Sequence, residues 1–139
     1  MPIEDKYSTG LVWQDFQHKQ LLDLFAKIKK AKAAKEGFEI ISYSVAFLAM
    51  YVNHHFKLEE EYMKIYSYPE ADVHKKEHKG YIKEIKLFRE KFKDCDEKAL
   101  EKLLMTLNQW IINHIMKDDK KLGDFVQDCE KKGLKAADA

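Results

Sequence analysis

Apolar residues recur at the spacing of an α-helix along almost the whole chain, and few residues interrupt the pattern. The 139 residues include five glycines and two prolines, and Pro69 is the only proline in the body of the chain. An antiparallel sandwich or barrel needs a turn about every 8–12 residues, usually marked by glycine or proline. The sequence therefore argues against an all-β fold and for an all-α fold.

Breaks near Gly37, Pro69 and Asp94 divide the helical pattern into four segments. We predict helices over about 15–35, 39–66, 70–93 and 95–121, with an extended N-terminal arm over 1–13 and a short C-terminal segment. Gly37 and Gly123 are expected to follow helix ends, and Trp13 to pin the arm. Long amphipathic helices joined by short loops predict an up-down-up-down four-helix bundle, a single domain over 1–139.

Charge and apolar runs exclude several classes of protein. Lys and Arg number 25 against 24 Asp and Glu, so nothing suggests binding to nucleic acid or to an anionic membrane. The longest apolar run, 45–52, is far shorter than the ~20 residues of a membrane span. Neither a secretory signal nor a disulfide framework is visible, so we expect a cytoplasmic protein with Cys95 and Cys129 as free thiols.

Histidines and acids lie where apolar side chains are expected. The predicted inner face of the second helix consists of Ile40, Ser44, Phe47, Leu48, Tyr51, His55, Leu58, Glu59 and Tyr62. The other helices carry inward histidines at His18, His74, His78 and His114, whereas His54 lies about 100° round the helix and is read as peripheral. Buried carboxylates and imidazoles are costly unless they are paired.

A pair of divalent metal ions would account for these polar groups. One inward histidine is usually an ordinary core residue, but five in register on four helices, with an inward acid, are not explained in that way. Helix bundles hold metal ions between facing helices. The predicted cluster contains no cysteine, and the sequence contains neither an H-E-x-x-H nor a Glu-x-x-His motif. A histidine-rich, carboxylate-bridged iron pair therefore fits best. Manganese, zinc and copper stay open on the ligands alone, and i+4 spacing from His114 selects Asp118 as a further acid.

These residues resemble the hemerythrin family, specifically the single-domain bacteriohemerythrins. The resemblance rests on WQDFQH ending at His18, HFKLEE from His55, H-x-x-x-H from His74, and WIINHI leading into Asp119. It implies one iron held by His74, His78 and His114, and a second held by His18 and His55 with one position open. It also implies that Glu59 and Asp119 bridge the two irons with an oxo or hydroxo group. Asp118, which helical spacing favours, is kept as the fallback for Asp119.

Four apolar residues are expected beside the open position. Leu21 lies one turn after His18, Phe56 adjoins His55, Trp110 lies one turn before His114, and Ile115 follows it. Similar residues line the O₂ pocket of the family, where a dry wall slows the loss of bound ligand. Ordinary core packing is an equally good account of their positions.

The resemblance implies reversible O₂ binding, as a carrier, store or scavenger, rather than catalysis. NO and small anions are alternative ligands, and an O₂-consuming enzyme is an expected partner of a monomer or weak oligomer. Two other functions stay open: a module that senses O₂, NO or redox state through a partner, and a di-iron enzyme with peroxidase or NO-handling activity.

Overall fold

The computed structural model of the chain describes residues 8–92 and 97–133, and all of the regular structure in these ranges is helical. The elements are α1 (Val12–Ala33), α2 (Phe38–Ile65), α3 (Ala71–Lys91), α4 (Glu97–Trp110), a π-helical segment (Ile111–Asp119) and α5 (Lys120–Lys131). The last three follow one another without a break and form one long rod. Within the described ranges, no helix combines the length and apolar character that a membrane span requires.

The elements form a four-helix bundle, which confirms the predicted fold class. α1 packs against α2, α2 against α3, and α3 against α4, and α1 closes the ring by contacting α4. Short connections between neighbouring helices give this arrangement because each amphipathic helix buries its apolar face against the next.

The start of the described chain is anchored by Asp15 in addition to Trp13, whose ring stacks on Tyr62 with centroids 4.4 Å apart. Residues 1–7 lie outside the described ranges, and α1 begins at Val12, so Trp13 is part of the helix. Asp15 in the first helical turn accepts hydrogen bonds from the Ser8 hydroxyl at 2.7 Å and from the Thr9 backbone N–H at 2.7 Å. An acid is favourable at a helix N-terminus, and here it also fixes the residues that lead into the helix.

Two glycines do not mark the helix ends that were predicted for them. Just after the end of α1, the residue in the left-handed region is Lys35 (φ 54°), not Gly37. Gly37 instead immediately precedes the first residue of α2. The fourth helix does not end near Gly123, because the rod continues to Lys131. A Cβ at Gly123 would lie 2.9 Å from the Thr9 Cβ, so this glycine permits the close approach of the arm.

The predicted inner face of α2 is partly wrong in its first half. Ile40 and Phe47 are 50% and 57% exposed, whereas Leu48 is buried as predicted, and Ile41 and Val45 enter the core beside it. Two apolar stripes run along this half of the helix, and periodicity alone does not show which one faces the bundle. From His55 onward, His55 and Glu59 are buried as predicted, and His54 is exposed.

Buried apolar side chains form two clusters. The larger contains Leu21, Phe56, Trp110 and Ile115 among others and draws on all four long helices. The smaller contains Leu11, Met63, Tyr66, Tyr68, Leu122, Val126 and Cys129. Along α2 and along the rod, a buried acid lies between the two: Glu59 between Phe56 and Met63, and Asp119 between Ile115 and Leu122.

Some expectations fall on residues outside the described ranges. These are the Asp94 turn, the Cys95 thiol and the frayed end at Lys135–Ala139. Cys129 is described, and it is a buried free thiol.

Candidate metal centre

Five histidines and two carboxylates meet in the interior of the bundle. Each of the seven side chains is at most 3% exposed: His18, His55, Glu59, His74, His78, His114 and Asp119. α1 supplies the first, α2 the next two, α3 the pair at i, i+4, and the π-helical segment the last two. These are the seven residues to which the sequence analysis assigned the metal.

The π-helical segment decides which aspartate enters the cluster. A π-turn closes at i+5 instead of i+4, so the residue five after His114 returns to the same face. Asp119 is fully buried, and its Oδ1 lies 3.0 Å from the inner nitrogen of His114, Nε2. Asp118 is 35% exposed and lies 3.9 Å from the outer nitrogen, Nδ1. The i+4 spacing that favoured Asp118 therefore fails, because the helix is not α-helical at this point.

The donors divide into two groups that share both carboxylates. One group is His74, His78 and His114 with Glu59 and Asp119, and the other is His18 and His55 with the same two acids. Within each group, the donor atoms lie within 4.8 Å of one another. This is the arrangement of two neighbouring cation sites joined by two carboxylates.

Each carboxylate turns one oxygen towards each group. Glu59 Oε1 lies 3.0 Å from His78 Nε2, and Glu59 Oε2 lies 3.4 Å from His55 Nε2. Asp119 Oδ1 lies 2.9 Å from His74 Nε2, and Asp119 Oδ2 lies 2.8 Å from His18 Nε2. A carboxylate placed in this way can donate one oxygen to each of two cations.

Three of the histidines are held by partners on their outer nitrogens. His55 Nδ1 lies 2.6 Å from the Gln17 amide oxygen, His78 Nδ1 lies 2.8 Å from Glu60, and His114 Nδ1 lies 2.7 Å from Glu77. Such partners fix the ring orientation and leave the lone pair of Nε2 pointing inward. The sequence analysis did not identify them.

Gln14 was also missed. It is fully buried, and its amide donates a 2.7 Å hydrogen bond to Glu59 Oε2. A signal was present, because Gln14 lies four residues before His18, which is the spacing of neighbours on one helix face. The predicted helix began at about residue 15 and so excluded it.

Burial and charge act against each other on the inner donors. Burial alone raises the pKa of Glu59, but His55, His74 and His78 hold that pKa below its ordinary value. Burial alone lowers the pKa of His114, but Asp119, Glu77 and Glu59 raise it to about 10. Although burial alone would lower the pKa of His74, Asp119 and Glu59 also raise it to about 9. For His55, burial lowers the pKa. Without a bound metal ion, the buried acids therefore favour the protonated forms of His74 and His114.

Several inner donor atoms lack a well-directed hydrogen bond, although they lie close together. They are His55 Nε2, His74 Nε2, Glu59 Oε1 and Asp119 Oδ1. Buried polar atoms are nearly always satisfied, so four at one point require a common partner. A divalent cation is such a partner, since imidazole nitrogens and carboxylate oxygens suit iron, manganese, zinc or copper. The donor set therefore fits a pair of metal ions.

The four residues expected to wall the ligand pocket are all buried, and Phe56 among them contacts a histidine of the cluster. Phe56 stacks on His78 with ring centroids 3.8 Å apart, and Trp110 meets Phe56 edge-on at 5.7 Å. Leu21 and Ile115 are 1% and 0% exposed and belong to the same apolar cluster.

Comparison with known proteins gives consistent matches. A family model, the hemerythrin HHE cation binding domain, matches residues 9–126. A bacteriohemerythrin from Pseudomonas aeruginosa is 30% identical over 124 residues, covering 89% of this chain and 80% of the relative. One from Clostridium acetobutylicum is 27% identical over 125 residues, covering 87% of this chain and 97% of the relative. A crystal structure of a hemerythrin mutant is similar with a TM-score of 0.74 at 28% identity, covering 85% of this chain and 89% of the other.

Proposed function

Because the chain belongs to the hemerythrin family, whose members bind O₂ at non-haem iron, we propose that it binds O₂ reversibly as a carrier, store or scavenger. One observation carries the proposal. Two buried carboxylates each present one oxygen to a group of three histidines and the other oxygen to a group of two. This unequal division matches a metal pair in which one member is left with a free coordination position.

The proposed ligand assignment follows from these groups. His74, His78 and His114 would hold one iron, His18 and His55 would hold the other, and both would share Glu59 and Asp119. With one further solvent-derived ligand shared by both, the iron of the two-histidine group would have one donor fewer than the other. The iron pair supplies the electrons and the open position that O₂ binding requires.

The protein's own residues keep the site selective. Gln17, Glu60 and Glu77 hold three imidazole rings in place through their outer nitrogens. Leu21, Phe56, Trp110 and Ile115 exclude water from one side of the cluster, which favours release of intact O₂ over loss of a reduced product. Exclusion of water is thus the role that we assign to the apolar wall.

Carriage rather than catalysis is favoured by the position of the remaining acids. Glu60, Glu77 and Asp118 are the partly exposed carboxylates beside the cluster, and they approach only the outer nitrogens of His78 and His114. A general acid on that side does not face the two-histidine group, where the open position is proposed.

We place the protein in the cytoplasm, where O₂-consuming enzymes would be the recipients.

Metal analysis and optical spectroscopy test the proposal. We expect two irons per chain, and an O₂-dependent absorption change that reverses when the reduced protein is cycled between O₂ and argon. A protein that takes up no iron, or that oxidises once without reversal, would contradict it. Turnover of peroxide or NO faster than release of O₂ would favour the enzyme alternative, and an O₂-dependent protein partner would favour the sensor.

Leu21→Ala tests the apolar wall. We expect unchanged iron content and autoxidation at least about tenfold faster, because a cavity beside the site admits water. Leu103→Ala is the matched control, since Leu103 is a buried leucine (3% exposed) on α4, in the same apolar cluster but far along the rod from the ligands. Equal autoxidation in the two variants would show that Leu21 does not guard the open position.

A further inference from the structure

The exposed face of α2 carries a stripe that neither the metal site nor the core of the bundle uses. Its members are Ile40, Tyr43, Phe47 and Met50, which are 50%, 67%, 57% and 62% exposed. Their spacing is 3, 4 and 3 residues, which is the a/d pattern of a coiled-coil seam. His54, also exposed, continues the pattern one step further.

This stripe is unusual for the chain in which it occurs. Asp, Glu, Lys and Arg make up 35% of the sequence, yet none occurs from Ile40 to Phe56. At about 1.5 Å per residue, the uncharged face is about 24 Å long. Single exposed apolar residues are ordinary, but a contiguous patch free of charge marks an interaction surface.

The seam is nearly symmetric about Phe47. Ile40 and His54 each lie seven residues from it, and Tyr43 and Met50 lie four and three residues from it. When two copies of α2 pack antiparallel about a two-fold axis at Phe47, each residue meets its counterpart on the other side of the centre. A two-fold interface requires this self-complementarity, since one patch must fit itself.

The charges at the two ends of the stripe obey the same symmetry. Exposed Glu36 and Glu39 lie just before the N-terminal end, and exposed Lys57 lies just after the C-terminal end. In the antiparallel pairing, Lys57 of one copy approaches Glu36 and Glu39 of the other, and this happens twice. A parallel pairing would instead bring like charges together at both ends.

We propose that this stripe is the interface of a homodimer, in which α2 packs antiparallel against α2 of a second copy with Phe47 at the two-fold axis. A groove of about 430 Å³ between α2 and α3 runs beside Tyr43 and can receive side chains from the partner helix. The seam is short, so we expect the buried area to lie near the lower limit of specific interfaces, about 600 Å² per partner. The dimer is therefore weak and depends on concentration.

Sedimentation equilibrium of the full chain, from roughly 5 to 500 µM, tests the proposal. We expect a monomer–dimer equilibrium, with Phe47→Glu raising the dissociation constant at least about 30-fold, as loss of a central hot spot does. Phe16→Glu is the matched control, because Phe16 is a 63% exposed phenylalanine on α1, outside the stripe. A monomer at every concentration, or equal weakening by the two variants, would overturn the proposal.

A charge exchange tests the antiparallel register. Lys57→Glu should weaken the dimer about three- to tenfold, because repulsion replaces both symmetry-related contacts, and a surface ion pair contributes little on its own. Adding Glu36→Lys to Lys57→Glu should recover part of the affinity, and failure to recover any would overturn the register. Sedimentation needs neither iron nor O₂, so its outcome is independent of the proposed function.

Discussion

At the scale of single residues, Glu59 and Asp119 join two sets of histidines into one cluster. Each acid is fully buried and directs one oxygen to each set. Buried charges of this kind are tolerated only when they are paired. Here each acid is paired with imidazoles from each of the other helices of the bundle. Removing either acid should therefore disturb both halves of the centre.

Asp119→Asn should lower the iron content to below about one per chain, because an amide bridges two cations poorly. Asp118→Asn provides the matched control and should leave two irons bound, since Asp118 reaches only the outer nitrogen of His114. Iron is measured by emission spectroscopy on protein purified in parallel. Full iron in the Asp119 variant, or loss confined to the Asp118 variant, would contradict the assignment.

Gly123→Ala should destabilise the protein by about 1–3 kcal/mol, because overpacking forces side chains to shift. The new Cβ would lie 2.9 Å from the Thr9 Cβ and 3.1 Å from the Gln14 amide oxygen. Gly80→Ala is the control: nothing lies within 4 Å of its Cβ position, so it should stabilise α3 by about 0.4–1 kcal/mol. Urea denaturation measures both, and equal effects would exclude the close approach.

The metal ligands could be predicted from the sequence, but the residues that hydrogen-bond to those ligands could not. Inward histidines at helical spacing stand out among apolar residues, and the family motif supplied Asp119. Gln17, Glu60 and Glu77 are ordinary polar residues on charged helices, and only the structure shows which of them turn towards an imidazole. Gly123 looked like a helix end because glycine serves both for termination and for close approach.

At the scale of elements, the π-helical segment is the least predictable feature and the most consequential. Hydrogen bonds in Ile111–Asp119 close at i+5 instead of i+4, so Asp119 stays beneath His114 while Leu122 and Val126 still enter the smaller apolar cluster. Hydrophobic periodicity assumes 3.6 residues per turn, and it could not locate this change. It did locate all four helices, with starts and ends within a few residues except where the rod continues to Lys131.

Deleting Lys117 should convert the segment to regular α-helix at little cost. Asp119 then lies four residues after His114, and all later residues stay on the same side of the helix as before. Deleting Lys121, an exposed lysine in α5, rotates Leu122 and Val126 by about 100° relative to Asp119, so either the site or the smaller cluster is lost. Thermal unfolding and iron content compare the two, and equal loss in both would contradict this account.

At the scale of the whole molecule, the balance of buried charge ties stability to pH. In the metal-free protein, the pKa values of His74 and His114 are raised to about 9 and about 10 by the buried acids. A raised histidine pKa stabilises the fold fully below the unfolded value near 6.5, and this contribution is lost as pH rises through the folded pKa. Iron binding instead requires neutral imidazoles and improves with pH.

The midpoint of thermal unfolding should therefore change in opposite directions in the two forms. Between about pH 6.5 and 9, the midpoint of the metal-free protein should fall, and that of the iron-loaded protein should rise or stay level. Circular dichroism at matched ionic strength measures both. Parallel curves for the two forms would show that the inner histidines do not carry the charge assigned to them.

The separation of the ligands along the sequence determines when the centre can form during synthesis of the chain. His18 and Asp119 lie 101 positions apart in sequence yet meet at 2.8 Å. On a growing polypeptide, neither half of the centre can form until Asp119 has left the ribosome, since both halves share it. Metal binding therefore follows the synthesis of all the helices that supply ligands, and imidazole–carboxylate pairs hold the donors together until the metal arrives.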